Sequence, residues 1–182
     1  MLILASASPR RKELTSIISG DVKIIPADVD ESFGDDIAVT DVPEMLAVRK
    51  AAVVAKDFPD DTVIGCDTSV IVGNEILGKP YDDADAERML RMLSGKSHQV
   101  ITGCAIFKGG RSLSFSETTD VVFYPLTDKE IADYVATKEP CDKAGAYGIQ
   151  GFGSLLVKEI HGDYFNVVGL PVGKLNKMLK LI

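Results

Sequence analysis

Apolar positions along this chain recur with two periods, and together they set out its elements. Leu2-Ile3-Leu4-Ala5 reads as a short buried strand running straight into Ser6-Ala7-Ser8-Pro9, where Ser8 suits an N-cap and Pro9 the first helical position. Leu14, Ile17 and Ile18 give a helical stripe that Gly20 ends, and Ile24 and Ile25 mark a second strand. Over residues 41 to 56, Asp41 with Glu44 makes a capping-box pattern, Pro43 falls in the first turn, and Met45, Arg49, Ala52 and Val53 follow helical spacing. Residues 63 to 72 are β-branched and apolar almost throughout, which predicts a buried strand; Gly73-Asn74 then turns the chain into a hairpin. Asp82 and Asp83 open a helix with the apolar face Ala86, Met89, Leu90 and Leu93. Residues 99 to 107 read as a strand, Gly109-Gly110 as a turn, and 112 to 117 and 121 to 124 as two further strands. Thr127 and Glu130 form a capping box for a helix through Ile131, Tyr134 and Val135. Residues 155 to 157 and 164 to 168 read as strands, and a last helix uses Val172, Leu175, Met178 and Leu179. Strands and helices alternate and then strands cluster, which predicts an α/β fold with a mixed, bent sheet in two lobes around a central cleft.

One acid breaks the longest apolar strand. Asp67, in Val63-Ile64-Gly65-Cys66-Asp67-Thr68-Ser69-Val70, needs a cation, a metal or hydrogen-bond donors, because an isolated carboxylate inside a sheet costs several kcal/mol. The hairpin returns Lys79 toward it. In a regular hairpin pairing Val72 with Glu75, however, Lys79 faces Thr68 on the opposite side of the sheet. A shared site therefore requires the second arm to bulge or to end early, with Gly65 and Gly78 allowing the bend.

Length and composition narrow the class. The 182 residues suffice for one domain with two lobes, 46% of them are apolar and 26% charged, and no apolar run reaches the length of a membrane span. A net charge of −7 argues against stable nucleic-acid binding, while leaving room for a local pocket for one small anion. Cys66, Cys104 and Cys141 are odd in number and far apart, and the start carries no signal-peptide core, so a reducing, cytoplasmic setting is expected. His98 and His161 alone cannot build a His-rich metal centre. A homodimer stays open.

Three stretches carry candidate chemistry. The first helix begins with Arg10, Arg11 and Lys12 at the positive end of its own dipole, an unfavourable placement that a bound anion would relieve. Serine hydroxyls (Ser6, Ser8) and guanidinium forks at a strand-to-helix turn suit phosphate oxygens. The acidic loop Asp28-Val29-Asp30-Glu31 is able to add a second Mg²⁺ ligand if it lies near Asp67. Between Asp142 and Gly153, four glycines in nine residues predict a loop that approaches another body closely, with Tyr147 and Gln150 placed to stack on and hydrogen-bond a planar group. Residues 73 to 80 nearly match a phosphate-loop motif but lack the hydroxyl after Lys79 and open no helix there.

Four segments in this order, Ser6-Ala7-Ser8-Pro9-Arg10-Arg11, Gly65-Cys66-Asp67-Thr68, Gly78-Lys79-Pro80 and Asp142-Lys143-Ala144-Gly145-Ala146-Tyr147-Gly148-Ile149-Gln150-Gly151, resemble the Maf family of nucleoside triphosphate pyrophosphatases. The resemblance spans nearly the whole chain. It implies a single two-lobed Maf-like domain over residues 1 to 182, similar to inosine triphosphatases, and hydrolysis of a nucleoside triphosphate to the monophosphate and pyrophosphate. It also implies a divalent metal such as Mg²⁺, Mn²⁺ or Co²⁺. Matched by position, Asp67 is similar to the acid that activates water, Glu31 to a second metal-side carboxylate, and Arg11, Lys50 and Lys79 to triphosphate holders. Arg10, Thr68 and Gln150 match positions tied to substrate choice, and the paired arginines with Ile149-Gln150-Gly151 resemble the branch acting on dTTP and UTP. The alternatives are the sister branch acting on 7-methyl-GTP and a non-catalytic nucleotide-binding regulator of cell division. With Asp67 paired to Lys79 and a metal, its pKa should fall, which favours Asp67 as the orienter of a metal-activated water.

Overall fold

A computed structural model describes residues Met1–Ile182. Its strands are β1 (Leu2–Leu4), β2 (Val22–Ile24), β3 (Thr62–Val72), β4 (Glu75–Leu77), β5 (Ser97–Lys108), β6 (Arg111–Phe123) and β7 (Val157–His161). Its helices are α1 (Pro9–Ile18), α2 (Val42–Asp57), α3 (Asp83–Leu93), α4 (Asp128–Ala136), α5 (Tyr164–Val168) and α6 (Val172–Met178). The strands make one mixed sheet in the order β2-β1-β3-β5-β6-β7, with β4 pairing β3. β1 is parallel to both β2 and β3, whereas β4 and β7 pair antiparallel with β3 and β6. The mixed α/β sheet read from the sequence is therefore present. The chain divides into two compact units.

The first unit comprises residues 1–68, 102–117 and 169–182. Ile3, Ala5, Ala47, Ala51, Val54, Val63 and Ala105 form its apolar centre, which packs α2 against the parallel strands. The small residues on α2 matter because Gly65 of β3 brings the strand backbone right up to the helix: a Cβ there would stand 2.2 Å from the Ala47 carbonyl oxygen. This close packing sets the phase of α2. Val42, Leu46, Ala47, Ala51 and Val54 are buried, Val53 is exposed, and the expected Met45-Arg49-Ala52-Val53 face is corrected accordingly. No side-chain bond caps α2 at Asp41, and Glu44 instead accepts from Ser114 Oγ at 2.7 Å, so the capping box read there is absent. On α1 only Leu14 and Thr15 are buried while Ile17 is 70% exposed, which narrows the expected stripe.

The second unit comprises residues 69–101 and 118–168. Its core collects the predicted face of α3 (Ala86, Met89, Leu90, Leu93) with Phe123, Ile131, Tyr134, Val135 and Tyr147. The capping box Thr127–Glu130 forms as read. The hairpin register is Val72↔Glu75 and Val70↔Leu77, and β4 stops there, so the second arm does end early. Three sequence expectations change. The two strands expected at 112–117 and 121–124 are one continuous β6, the strand expected at 155–157 starts only at Val157, and 164–168 is the short helix α5. Just before α5 the Asp163 carboxylate accepts from the Phe165 amide at 2.8 Å, and within it buried Asn166 donates to Val100 O and Thr119 Oγ1.

Candidate active site

Asp67 finds its cation on α2 rather than on the hairpin. Lys50 Nζ lies 2.7 Å from Asp67 Oδ1 and 2.7 Å from Glu31 Oε1, so the helix, the buried strand and the acidic loop all converge on one ammonium. Both side chains of the Lys50–Asp67 pair are 14% exposed, while Glu31 is 62% exposed. Burial pushes the Asp67 carboxyl upward, against the pull of Lys50 and Arg11. Burial also works against the Lys50 charge but loses to the two carboxylates, so Lys50 is held in its charged form. With Lys50 rather than Lys79 as its partner, desolvation outweighs the paired charge at Asp67.

Arg11 organises the opposite flank of Asp67. Ser8 Oγ accepts from the Arg11 amide, capping α1, and the α1 geometry sends the guanidinium inward. Nε donates to Gly169 O at 2.8 Å, Nη1 to Cys66 O at 3.0 Å and Ser6 Oγ at 3.2 Å, and Nη2 to Thr68 Oγ1 at 2.8 Å. Four acceptors and no carboxylate mean that Arg11 braces β3 and the turn before α6 without a salt bridge to any acid. Gly169 can serve this turn because its φ is +123°, a value that favours glycine. Thr68 Oγ1 and Thr102 Oγ1 are hydrogen-bonded at 2.9 Å, which fixes the threonine that matches a substrate-choice position.

The remaining candidates fall in two groups. Ser6 Oγ and Ser8 Oγ both act as acceptors inside the protein, Ser6 from the Ser8 amide and Arg11 and Ser8 from the Arg11 amide, so each keeps its hydroxyl proton to donate. Arg10 is half-buried at the start of α1, whose first turn holds no acid. Lys79 and Gln150 are exposed residues of the second unit. Tyr147, read as a stacking residue, is instead a core residue, 5% exposed, with its hydroxyl 2.7 Å from His98 Nε2. Sequence reasoning missed the Arg11–Thr68–Thr102–Gly169 brace, whose members are far apart in the chain, and the partnership of Lys50 with Asp67, for which the helix gives no local signal.

Solved structures identify the fold class. The Ham1 protein of Staphylococcus aureus matches with a TM-score of 0.60 and 18% identity over 98% of this chain and 97% of that one. A HAM1 protein from Coxiella burnetii matches with a TM-score of 0.57 and 16% identity over the full length of both. A family model for Maf-like proteins spans residues 1–182, and the chain belongs to the Maf family. A dTTP/UTP pyrophosphatase of Bacillus mycoides (strain KBAB4) is 48% identical over 179 residues, which cover 98% of this chain and 94% of that protein. Its namesake from Bacillus cereus (strain AH820) is 49% identical over the same share of each chain.

Proposed function

We propose that this protein is a nucleoside triphosphate pyrophosphatase that hydrolyses dTTP and UTP to the monophosphate and pyrophosphate. The observation that carries the reading is the convergence of Asp67 and Glu31 on Lys50 beside an Arg11 that makes no salt bridge. Family membership and the names of relatives near half identity support the same reaction.

The chemistry needs a water aimed at the α-phosphorus and charge neutralisation on the departing pyrophosphate. Asp67 orients the water and takes its proton as the new P–O bond forms and the α–β anhydride bond breaks. Lys50, kept charged by two carboxylates, and Arg11 supply fixed positive charge. Ser6 and Ser8 offer hydroxyl donors to phosphate oxygens. We assign Lys79 to the triphosphate as well, and Arg10, Thr68 and Gln150 to selection among bases, on the strength of their motif positions.

The donor set suits a hard divalent cation, since two carboxylates already meet on one positive charge and such ions often take few protein ligands. Glu31 and Asp67 would hold Mg²⁺, Mn²⁺ or Co²⁺, and the ion when bound supplies charge neutralisation. The three free cysteines, two of them buried, accord with a cytoplasmic setting, and no helix is long and apolar enough to cross a membrane.

The test is to incubate the purified chain with Mg²⁺ and, separately, dTTP, UTP, CTP and 7-methyl-GTP, and to measure pyrophosphate. Release from dTTP and UTP is expected. No release from any of them, or release from 7-methyl-GTP alone, refutes the reading.

A further inference from the structure

Glu31 lies on a long connection, from Ile25 to Asp41, that contains neither helix nor strand. A loop of that kind does not aim a carboxylate unless something fixes its backbone. Within it, Asp30 makes a local turn, its carboxylate accepting from the Ser32 amide at 2.9 Å and from Ser32 Oγ at 2.8 Å. Two side chains, adjacent on α2, tie this turn to the rest of the first unit. Lys50 reaches the Glu31 carboxylate. Arg49 Nη1 donates to Asp30 O at 2.9 Å and to Ser32 O at 2.6 Å, the carbonyls on either side of Glu31.

The two ties differ in what they leave free. Lys50 occupies the carboxylate itself, so that tie is lost whenever Glu31 takes another partner. Arg49 binds only backbone, and holds the residue in place whichever partner its carboxylate has. We propose that Arg49 is the positioning residue for Glu31: a backbone clamp that keeps the carboxylate aimed at the Lys50–Asp67 cluster while it exchanges Lys50 for another cation. The proposal rests on the reading of Glu31 as a working carboxylate of the site. Outer groups that orient a functional ligand in this way typically control activity by 10- to 100-fold.

The test compares Arg49→Met, which keeps the stem and loses the donors, with Arg49→Lys, whose ammonium can reach the same two carbonyls. For Arg49→Met, kcat with the best nucleotide should drop by about 10- to 100-fold with a smaller change in KM, and Arg49→Lys should recover most of the loss. Amide hydrogen exchange across residues 29–33 of the free protein should speed up in Arg49→Met and return toward wild type in Arg49→Lys. In a Glu31→Gln background, Arg49→Met should cost almost nothing more, because both changes act through one carboxylate. An unchanged kcat, an unchanged exchange rate, a lysine variant no better than the methionine one, or a loss that persists in Glu31→Gln overturns the proposal. A wild-type chain that cleaves no nucleotide defeats the functional reading instead, and the exchange measurement still decides whether the clamp exists.

Discussion

Replacing Gly65 with alanine should cost both stability and turnover, because the close approach of β3 to α2 is what places Lys50 on Asp67. The new Cβ would lie 2.2 Å from Ala47 O, 2.6 Å from Ala51 N and 2.9 Å from Ala51 Cβ. None of these atoms ends a flexible side chain, so no rotamer change relieves the clash. Reaching an ordinary carbon contact near 3.5 Å requires α2 to retreat by about 1 Å. Overpacking of this kind costs about 1–3 kcal/mol, and a ~2 kcal/mol loss lowers Tm by ~4–8 °C in a chain of this size. A shift of about 1 Å in catalytic groups is worth about 10²-fold in rate. Calorimetry and pyrophosphate release read the two effects separately. Gly173→Ala is the control: it sits in α6 with nothing within 4 Å of its Cβ position, and should be neutral or slightly stabilising. A Gly65→Ala chain with unaltered Tm and kcat/KM would refute the reasoning.

Three further substitutions probe other parts of the molecule. Lys50→Met strands the buried Asp67 carboxylate and should cost about 3 kcal/mol in urea unfolding, with Asp67→Asn in the same chain restoring part of it; strictly additive losses contradict the pairing. Thr68→Val keeps the shape but removes the oxygen that accepts from Arg11 and meets Thr102, so a loss of about 1–3 kcal/mol is expected, and none at all would mean that Arg11 finds another acceptor. His98 is kept neutral by burial, which lowers its pKa from 6.5 to about 4. Its unfolded form therefore binds a proton first as the pH drops, so stability is full above pH 6.5 and falls by about 3 kcal/mol on the way to pH 4. Urea midpoints across that range should fall less steeply for His98→Gln, and an identical slope would count against the assignment.

Local signals in the sequence are legible where they compete with nothing else. The Ser8 cap and Pro9 start of α1, the buried face of α3 and the Thr127–Glu130 box all form as read. The sequence misleads where a distant partner decides. The phase of α2 is set by Gly65, whose bare backbone accepts Ala47 and Ala51 against it, and nothing within α2 reports that. The aromatic and β-branched run of α5 has strand-like composition, yet Asp163 and Asn166 bind backbone and side-chain groups that turn it into a helix; the Gly162-Asp163 pair ahead of it was the available cue. Tyr147 sits in a glycine-rich stretch that suggests an open loop, but its ring packs edge-on against Phe123 and His98 in the core. For the site itself, Asp67 was visible because a lone acid in an apolar strand is anomalous. Lys50 enters only through the family resemblance, and neither its pairing with Asp67 nor the role of Arg49 is legible, because charged residues on a helix are ordinary until the fold shows what they touch.

Asp67→Asn measures the central claim most directly, read as single-turnover cleavage of dTTP alongside equilibrium binding of the same nucleotide. Loss of the carboxylate that takes the proton from water should slow cleavage by about 10²- to 10⁴-fold while binding holds within a few fold. Cleavage at close to the wild-type rate would contradict the role of the Glu31–Lys50–Asp67 cluster.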